Sequence, residues 1–162
     1  DASMKNKLRN IALATTAAAG LALSFQAASH MVKEEPQQSY RQSYFTLVAM
    51  NFGPIAAMVK GEMPWDDAML KTFADDLGAL SSMDVSRAFA PGSEKGTTRA
   101  KPGIWENTDD FKAKLGDFQE ALVALQQAAG TGDKKAVAGA VGTAGKACKS
   151  CHDEYKAKDY LY

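Results

Sequence analysis

Cysteine and histidine are scarce in this sequence. Its 162 residues include two cysteines and two histidines, and 19 basic residues balance 19 acidic ones, for a formal net charge of +0. A chain without excess positive charge lacks the electrostatic attraction that drives binding to nucleic acids and anionic membranes, so we predict neither as a partner. Two cysteines separated by only two residues cannot staple distant parts of a fold. They therefore indicate local chemistry rather than a disulfide framework.

Long hydrophobic runs are also missing. The apolar stretch IALATTAAAGLAL, residues 11–23, is thirteen residues long, whereas a membrane-spanning helix needs roughly twenty. Three basic residues between positions 5 and 9 precede it, and the small-residue segment SFQAA at 24–28 follows it. This order of basic, apolar and small residues is typical of a secretory signal.

The leader sets the predicted domain limits. We predict a signal peptide over residues 1–28, cut after Ala27 or Ala28, then a linker over 29–36 and a single domain over 37–162. Export would place that domain in the periplasm, with no membrane attachment once the leader is removed. A permanent anchor formed by the leader is the alternative.

Beyond the linker, apolar residues recur at the spacing of helices. The first predicted helix covers residues 37–60, and Pro54 is expected to kink or interrupt its last turns. The second begins near Pro64, a favourable first-turn residue. A loop rich in Gly, Pro and Ser over residues 84–103 then separates the two halves of the domain. The buried face predicted for the second helix consists of Leu70, Phe73, Leu77 and Leu80.

The third and fourth helices carry regular apolar stripes. Gly130 is the predicted C-terminal cap of the third helix, and Asp133 the predicted N-terminal cap of the fourth. Since no segment alternates polar and apolar residues at the period of a strand, we predict an all-α domain, an antiparallel up-down-up-down four-helix bundle. The stripes are Phe111, Leu115, Phe118, Leu122 and Leu125 on the third helix, and Val137, Val141, Ala144, Cys148, Cys151 and Tyr155 on the fourth.

The motif CKSCH, residues 148–152, permits a covalent haem, a redox dithiol or a metal site. On a helix, Cys148, Cys151 and His152 stand at i, i+3 and i+4, so both thiols and the imidazole share one face. A tetrahedral zinc site needs further ligands that the sequence does not offer, and a thioredoxin-like dithiol belongs beside a βαβ unit. We therefore predict one haem c, attached through both cysteines, with His152 as the ligand of its iron.

Several segments match those of a known family: YRQS and FTL within 40–47, NFG at 51–53, APGSE at 90–94, IW at 104–105 and ACKSCHDEYK at 147–156. On these segments, residues 40–162 resemble the cytochrome c′ family, the class II c-type cytochromes. The resemblance implies a haem near the end of the bundle, with His152 as the proximal ligand and no sixth protein ligand. It also implies that Phe45 of the first helix closes the distal side and that Arg41 and Gln42 contact the haem propionates.

Several positions qualify this resemblance. Lys156 stands where the family usually has an arginine close to the proximal imidazole, and it lacks the planar donor fork of arginine. The loop at 97–103 is longer than is common in the family, and Thr97 or Thr98 within it are further candidates for propionate contacts. Met50 is the rival to Phe45, because low-spin relatives use a methionine of the first helix as the sixth ligand.

The leading functional hypothesis is a haem protein that binds nitric oxide or carbon monoxide behind an apolar gate. An apolar pocket disfavours dioxygen, which needs a hydrogen-bond donor. The alternative is an electron-transfer cytochrome with a redox partner protein, although no docking patch is evident in the sequence. The predicted distal side offers no acid–base group, so we predict no catalytic residue and no enzyme. The resemblance also implies a homodimer through the first two helices, with an apolar patch at Met58, Val59, Met63 and Trp65.

Overall fold

Four long helices form the fold. A computed structural model describes residues 35–161, and over this range the one β pairing is an isolated antiparallel bridge between Ala100 and Lys156. The prediction of an all-α, up-down-up-down four-helix bundle is confirmed. The helices are α1 (Pro36–Lys60), α2 (Asp67–Ser81), the single turn α3 (Gly103–Glu106), α4 (Thr108–Thr131) and α5 (Lys134–Tyr155), with a 3₁₀ turn over Val85–Phe89 between α2 and α3.

Side-chain caps explain where α2 and α5 begin. The carboxylate of Asp66 accepts a hydrogen bond from the backbone N–H of Met69 at 2.9 Å. The carboxylate of Asp133 accepts one from the N–H of Lys135 at 2.8 Å, which confirms the predicted cap of α5. Each bond satisfies a backbone donor that the first helical turn leaves without a partner.

Two predicted boundaries differ from the structure. The helix α4 continues through Gly130, and its cap is Gly132, whose φ of 72° is the left-handed conformation that glycine adopts most easily. The helix α2 begins at Asp67 rather than near Pro64, because Asp66 provides the cap. The first helix ends at Lys60, as predicted, and Pro54 lies inside it without interrupting it.

The predicted apolar stripes form most of the core. All five residues of the α4 stripe are buried, and on α2 Ala74 is buried while Phe73 is only half-buried. Tyr44 of α1 is 2% exposed and donates a hydrogen bond to the carbonyl of Leu80 at 3.0 Å, which joins α1 to the end of α2. Burial raises the pKa of Tyr44 to about 12.

None of the helices within residues 35–161 has the length and apolar character needed to cross a bilayer. The predicted leader over residues 1–28 and most of the linker lie outside the described part of the chain. The leader and the domain limits therefore stay predictions.

Candidate functional site

A large cavity opens between α1, α4 and α5. Its volume is about 1080 Å³, and residues of the segment 98–104 complete its wall. Apolar side chains dominate the lining, as expected for a site that receives a hydrophobic ligand. The main apolar groups are Phe45, Val48 and Phe52 of α1 and Leu115, Phe118 and Leu122 of α4.

The last turns of α5 bring the motif residues into this cavity. Cys148 and Cys151 are half-buried free thiols that pack against the core, and both line the cavity together with His152. This is the common face that the i, i+3, i+4 spacing predicted. Among residues 35–161, no group of three or more His, Cys, Asp or Glu side chains converges in a way that could hold a metal ion.

Burial shifts the pKa values of the thiols and of the imidazole of the motif. Burial raises the pKa of the Cys148 thiol and, as the largest of several causes, that of Cys151. A protonated thiol is a poor nucleophile for disulfide exchange. The pKa of His152 is lowered, first by partial burial against the cavity wall and then by the charges of Lys156 and Arg99. The imidazole is therefore neutral near pH 7 and has a lone pair available for iron.

Phe45 and Met50 both line the cavity, but in different settings. Phe45 is half-buried and its ring lies edge-on to Tyr44, with 5.1 Å between centroids, and tilted against Phe118 at 6.1 Å. Met50 has 67% of its surface exposed. The two residues are five apart in sequence, about 140° around a helix at 100° per residue, yet the cavity is wide enough to reach both side chains. Their packing distinguishes them, since Phe45 is held in place by neighbouring rings.

Arg41 lies deep in the structure, with 3% of its surface exposed. Its guanidinium donates to the carbonyl of Ala88 at 3.0 Å and to the hydroxyl of Ser93 at 3.1 Å. It also donates to the carbonyl of Ser93 and to the hydroxyl of Thr98, both at 2.8 Å. The group lies 5.1 Å from the ring centroid of Phe89 and 5.7 Å from that of Trp105, within the range of cation–π attraction.

These contacts join α1 to the loop before α3. Two neighbours of Arg41 on the same helical face add to them, since Gln38 donates to the carbonyl of Lys95 at 2.7 Å and Gln42 to that of Thr97 at 2.6 Å. The residues that were predicted to contact the haem propionates thus lie together in one corner of the site. Arg41, Gln42 and Thr98 line the cavity, and the exposed Thr97 is bonded to Gln42.

Lys156 is the C-terminal cap of α5 and lies close to the motif histidine. Its backbone N–H donates to the carbonyl of His152 at 3.1 Å, and its exposed side chain lines the cavity. The ammonium contributes positive charge that lowers the pKa of His152. A proximal electrostatic influence of this side chain on the iron is consistent with that position and stays a prediction.

Several residues of the site were not predicted from the sequence. Phe89 stacks on Arg41, and Arg99 and Tyr160 line the cavity. A signal for part of this set was present, because Ser93 belongs to APGSE and Trp105 to the IW pair, and both contact Arg41. These two segments, which also carry the resemblance to the family, contribute to the surroundings of the buried guanidinium.

The cavity fits a haem. It combines an apolar wall, two thiols on one helical face and a neutral imidazole one position further on, which are the groups that covalent attachment and axial ligation of a haem require. The bundle and this site together define a c-type haem protein.

Comparison with known proteins agrees with this class. The family model for cytochrome c′ matches residues 36–156. A cytochrome c′ from Cereibacter sphaeroides is 47% identical over 156 residues, which cover 93% of this chain and 99% of that protein. The solved nitric oxide complex of a mutant cytochrome c prime from Alcaligenes xylosoxidans is 41% identical with a TM-score of 0.70, over 78% of this chain and 98% of its own. A cytochrome c′ described as having an unusual ligand-controlled dimer dissociation is 31% identical with a TM-score of 0.73, and the match covers 78% of this chain and 98% of that one.

The chain belongs to the cytochrome c′ family. Its cofactor is haem c, bound covalently, and Cys148 and Cys151 are the two cysteines of the attachment motif. The predictions of the family and of the cofactor are confirmed. The family comprises haem proteins of electron transfer and gas binding and is not classed among enzymes.

Proposed function

We propose that this protein binds nitric oxide or carbon monoxide in the periplasm, at an iron that His152 holds from one side and no protein ligand holds from the other. The haem, when bound, supplies an iron with an open coordination position for a diatomic gas. The observation that carries the proposal is the setting of Phe45, which lines the cavity and is braced by Tyr44 and Phe118. A braced aromatic ring excludes water and restricts access to that position.

The wall around Phe45 supports a preference for apolar gases. Val48 and Phe52 continue the apolar surface along α1, and Leu115 and Phe118 continue it on α4. Bound dioxygen carries partial negative charge and needs a hydrogen-bond donor, whereas nitric oxide and carbon monoxide do not depend on one. The solved Alcaligenes protein described as a nitric oxide complex shows that a relative of the same fold binds this gas.

Electron transfer is the second candidate function. Five residues that line the cavity are basic and one, Asp153, is acidic. Of the basic residues, Arg41 is buried, Lys114 pairs with Asp110, and Lys149 pairs with Asp153. The positive charges of Arg99 and Lys156 at the cavity would favour an acidic redox partner. In this alternative Met50 would be the sixth ligand of the iron. The basic residues are Arg41, Arg99, Lys114, Lys149 and Lys156.

Substituting Phe45 tests the gate. For Phe45→Ala we expect carbon monoxide to bind the ferrous protein about tenfold faster in stopped-flow measurements, because removing the ring lowers a steric barrier by about 1.4 kcal/mol. Leu47→Ala is the matched control, since Leu47 lies on the same helix, is 50% exposed and does not line the cavity. Equal rates for Phe45→Ala and the wild type would show that Phe45 only packs the core.

We also propose a homodimer, but through a surface different from the predicted patch. Met58 is 4% exposed and belongs to the core, and Val59, Met63 and Trp65 are half-buried against it. The exposed apolar groups of the first two long helices are Leu47, Met50 and Met69. A dimer face on α1 and α2 would bury these side chains.

A further inference from the structure

The chain after α5 folds back onto the segment before α3. The backbone N–H of Ala157 donates to the carbonyl of Arg99 at 2.7 Å, and the N–H of Leu161 donates to that of Thr98 at 3.1 Å. The N–H of Lys101 donates to the carbonyl of Tyr155 at 2.9 Å. Residues 157–161, which we call the tail, therefore form a closed turn with both of its ends hydrogen-bonded to the same short segment.

The side chain of Arg99 stabilises this turn by donating hydrogen bonds to it. Its Nε donates to the carbonyl of Ala157 at 2.9 Å, and its Nη2 donates to the carbonyl of Lys158. One side chain thus binds two successive carbonyls, while its own carbonyl accepts from the N–H of Ala157. The rigid fork of a guanidinium is suited to such a paired contact, which an ammonium cannot reproduce.

The closed turn places an aromatic ring at the mouth of the cavity. Tyr160 lines the same cavity as Cys148, Cys151 and His152, and 60% of its surface is exposed. Arg99 lines it as well. An aromatic ring at this position forms part of the boundary between the cofactor site and solvent.

We propose that Tyr160 is a haem-contact residue that covers the solvent-facing edge of the cofactor, and that Arg99 is the positioning residue that holds it there. The inference rests on the covalent haem shared by the family and not on gas binding. The roles differ: Tyr160 contacts the cofactor, and Arg99 acts through the tail.

Covering the haem edge has a measurable electrostatic consequence. The ferric form carries one more positive charge than the ferrous form, so water near the cofactor stabilises it more. Solvent exposure is accordingly one of the factors that set a haem reduction potential. Because Tyr160 keeps water away from one edge of the haem, it should raise the midpoint potential of the haem iron.

The test is a redox titration of the wild-type holoprotein and of three variants. For Tyr160→Ala we expect a lower midpoint potential than that of the wild type. For Tyr160→Phe, which keeps the ring, we expect the same midpoint potential as for the wild type. Leu161→Ala is the control within the tail, because Leu161 is 40% exposed and does not line the cavity. A potential of Tyr160→Ala equal to that of the wild type would overturn the contact.

Arg99 requires a double-mutant cycle, since removing its charge shifts the potential directly. We expect Arg99→Ala to lower the potential more in the wild-type background than in Tyr160→Ala, because the positioning effect disappears when the ring is absent. Carboxypeptidase should also shorten the tail faster in Arg99→Ala. An equal shift in both backgrounds, or unchanged digestion, would overturn the positioning role. Carbon monoxide binding is not used as a readout, so a failure here is distinguishable from a failure of the Phe45 gate.

Discussion

The variant Cys148→Ser, Cys151→Ser is expected to contain no covalently bound haem. Both thiols line the cavity on one face of α5, and no other cysteine exists in the chain. After denaturing electrophoresis, haem staining of the polypeptide should fall to background, and acidified organic solvent should extract any haem present. Each single variant should keep one thioether and shift the pyridine haemochrome spectrum. The double variant should also unfold at lower temperature, because a cofactor that binds only the folded state stabilises it.

Ser150→Ala is the matched control for this result. Ser150 lies between the two cysteines, is exposed and does not line the cavity, so this variant should retain all of its haem. Covalent haem that survives loss of both thiols would contradict the assignment of the attachment site.

Arg41→Met is expected to destabilise the fold by about 3 kcal/mol. Methionine fills much of the space beside Phe89 and Trp105 but donates no hydrogen bonds, so each of the four acceptors in Ala88, Ser93 and Thr98 loses one donor. The hydroxyl of Thr98 still accepts from the N–H of Ala100 at 3.0 Å, and the carbonyl of Ala88 still accepts from the hydroxyl of Ser93 at 3.4 Å. A buried acceptor left without a partner costs about 1–3 kcal/mol, and such costs are not additive in a network. Urea unfolding of the holoprotein measures the effect. Arg41→Lys should lose less, since lysine keeps the charge but not the fork.

Arg87 provides a control from the same region. It is exposed, it donates to the hydroxyl of Tyr40 at 3.3 Å, and it stacks on that ring at 5.2 Å. Exposed interactions of this kind contribute about 1 kcal/mol or less, so Arg87→Ala should change the free energy of unfolding only slightly. If Arg41→Met were as stable as the wild type, the buried hydrogen bonds would contribute no net stability.

The parts of the fold that the sequence predicted depend on local spacing. The stripe of α4 repeats every three or four residues, so it identifies a buried helical face without knowledge of the rest of the chain. The motif of α5 is predicted from local spacing as well, because Cys148, Cys151 and His152 lie on one face of any helix that contains them. The cap at Asp133 is also local, as its carboxylate bonds to an N–H two residues away.

The surroundings of Arg41 could not be predicted in this way. Its partners Ala88 and Thr98 are 47 and 57 residues distant in sequence, and no local pattern shows that a loop returns to the first helix. The tail is similar, since Arg99 binds carbonyls 58 and 59 residues further on. The error at Gly130 has a different cause. Two glycines stand near the end of α4, and propensity alone does not show which one takes the left-handed conformation.

The spectrum of the wild-type ferrous protein tests the central claim most directly. Optical and resonance Raman spectra of the holoprotein, recorded without added gas, should show a five-coordinate, high-spin iron that changes on addition of nitric oxide or carbon monoxide. Met50→Ala should leave the gas-free spectrum unchanged, because Met50 is mostly exposed at the mouth of the cavity. A six-coordinate, low-spin spectrum that loses its sixth ligand in Met50→Ala would contradict the account and establish Met50 as an iron ligand.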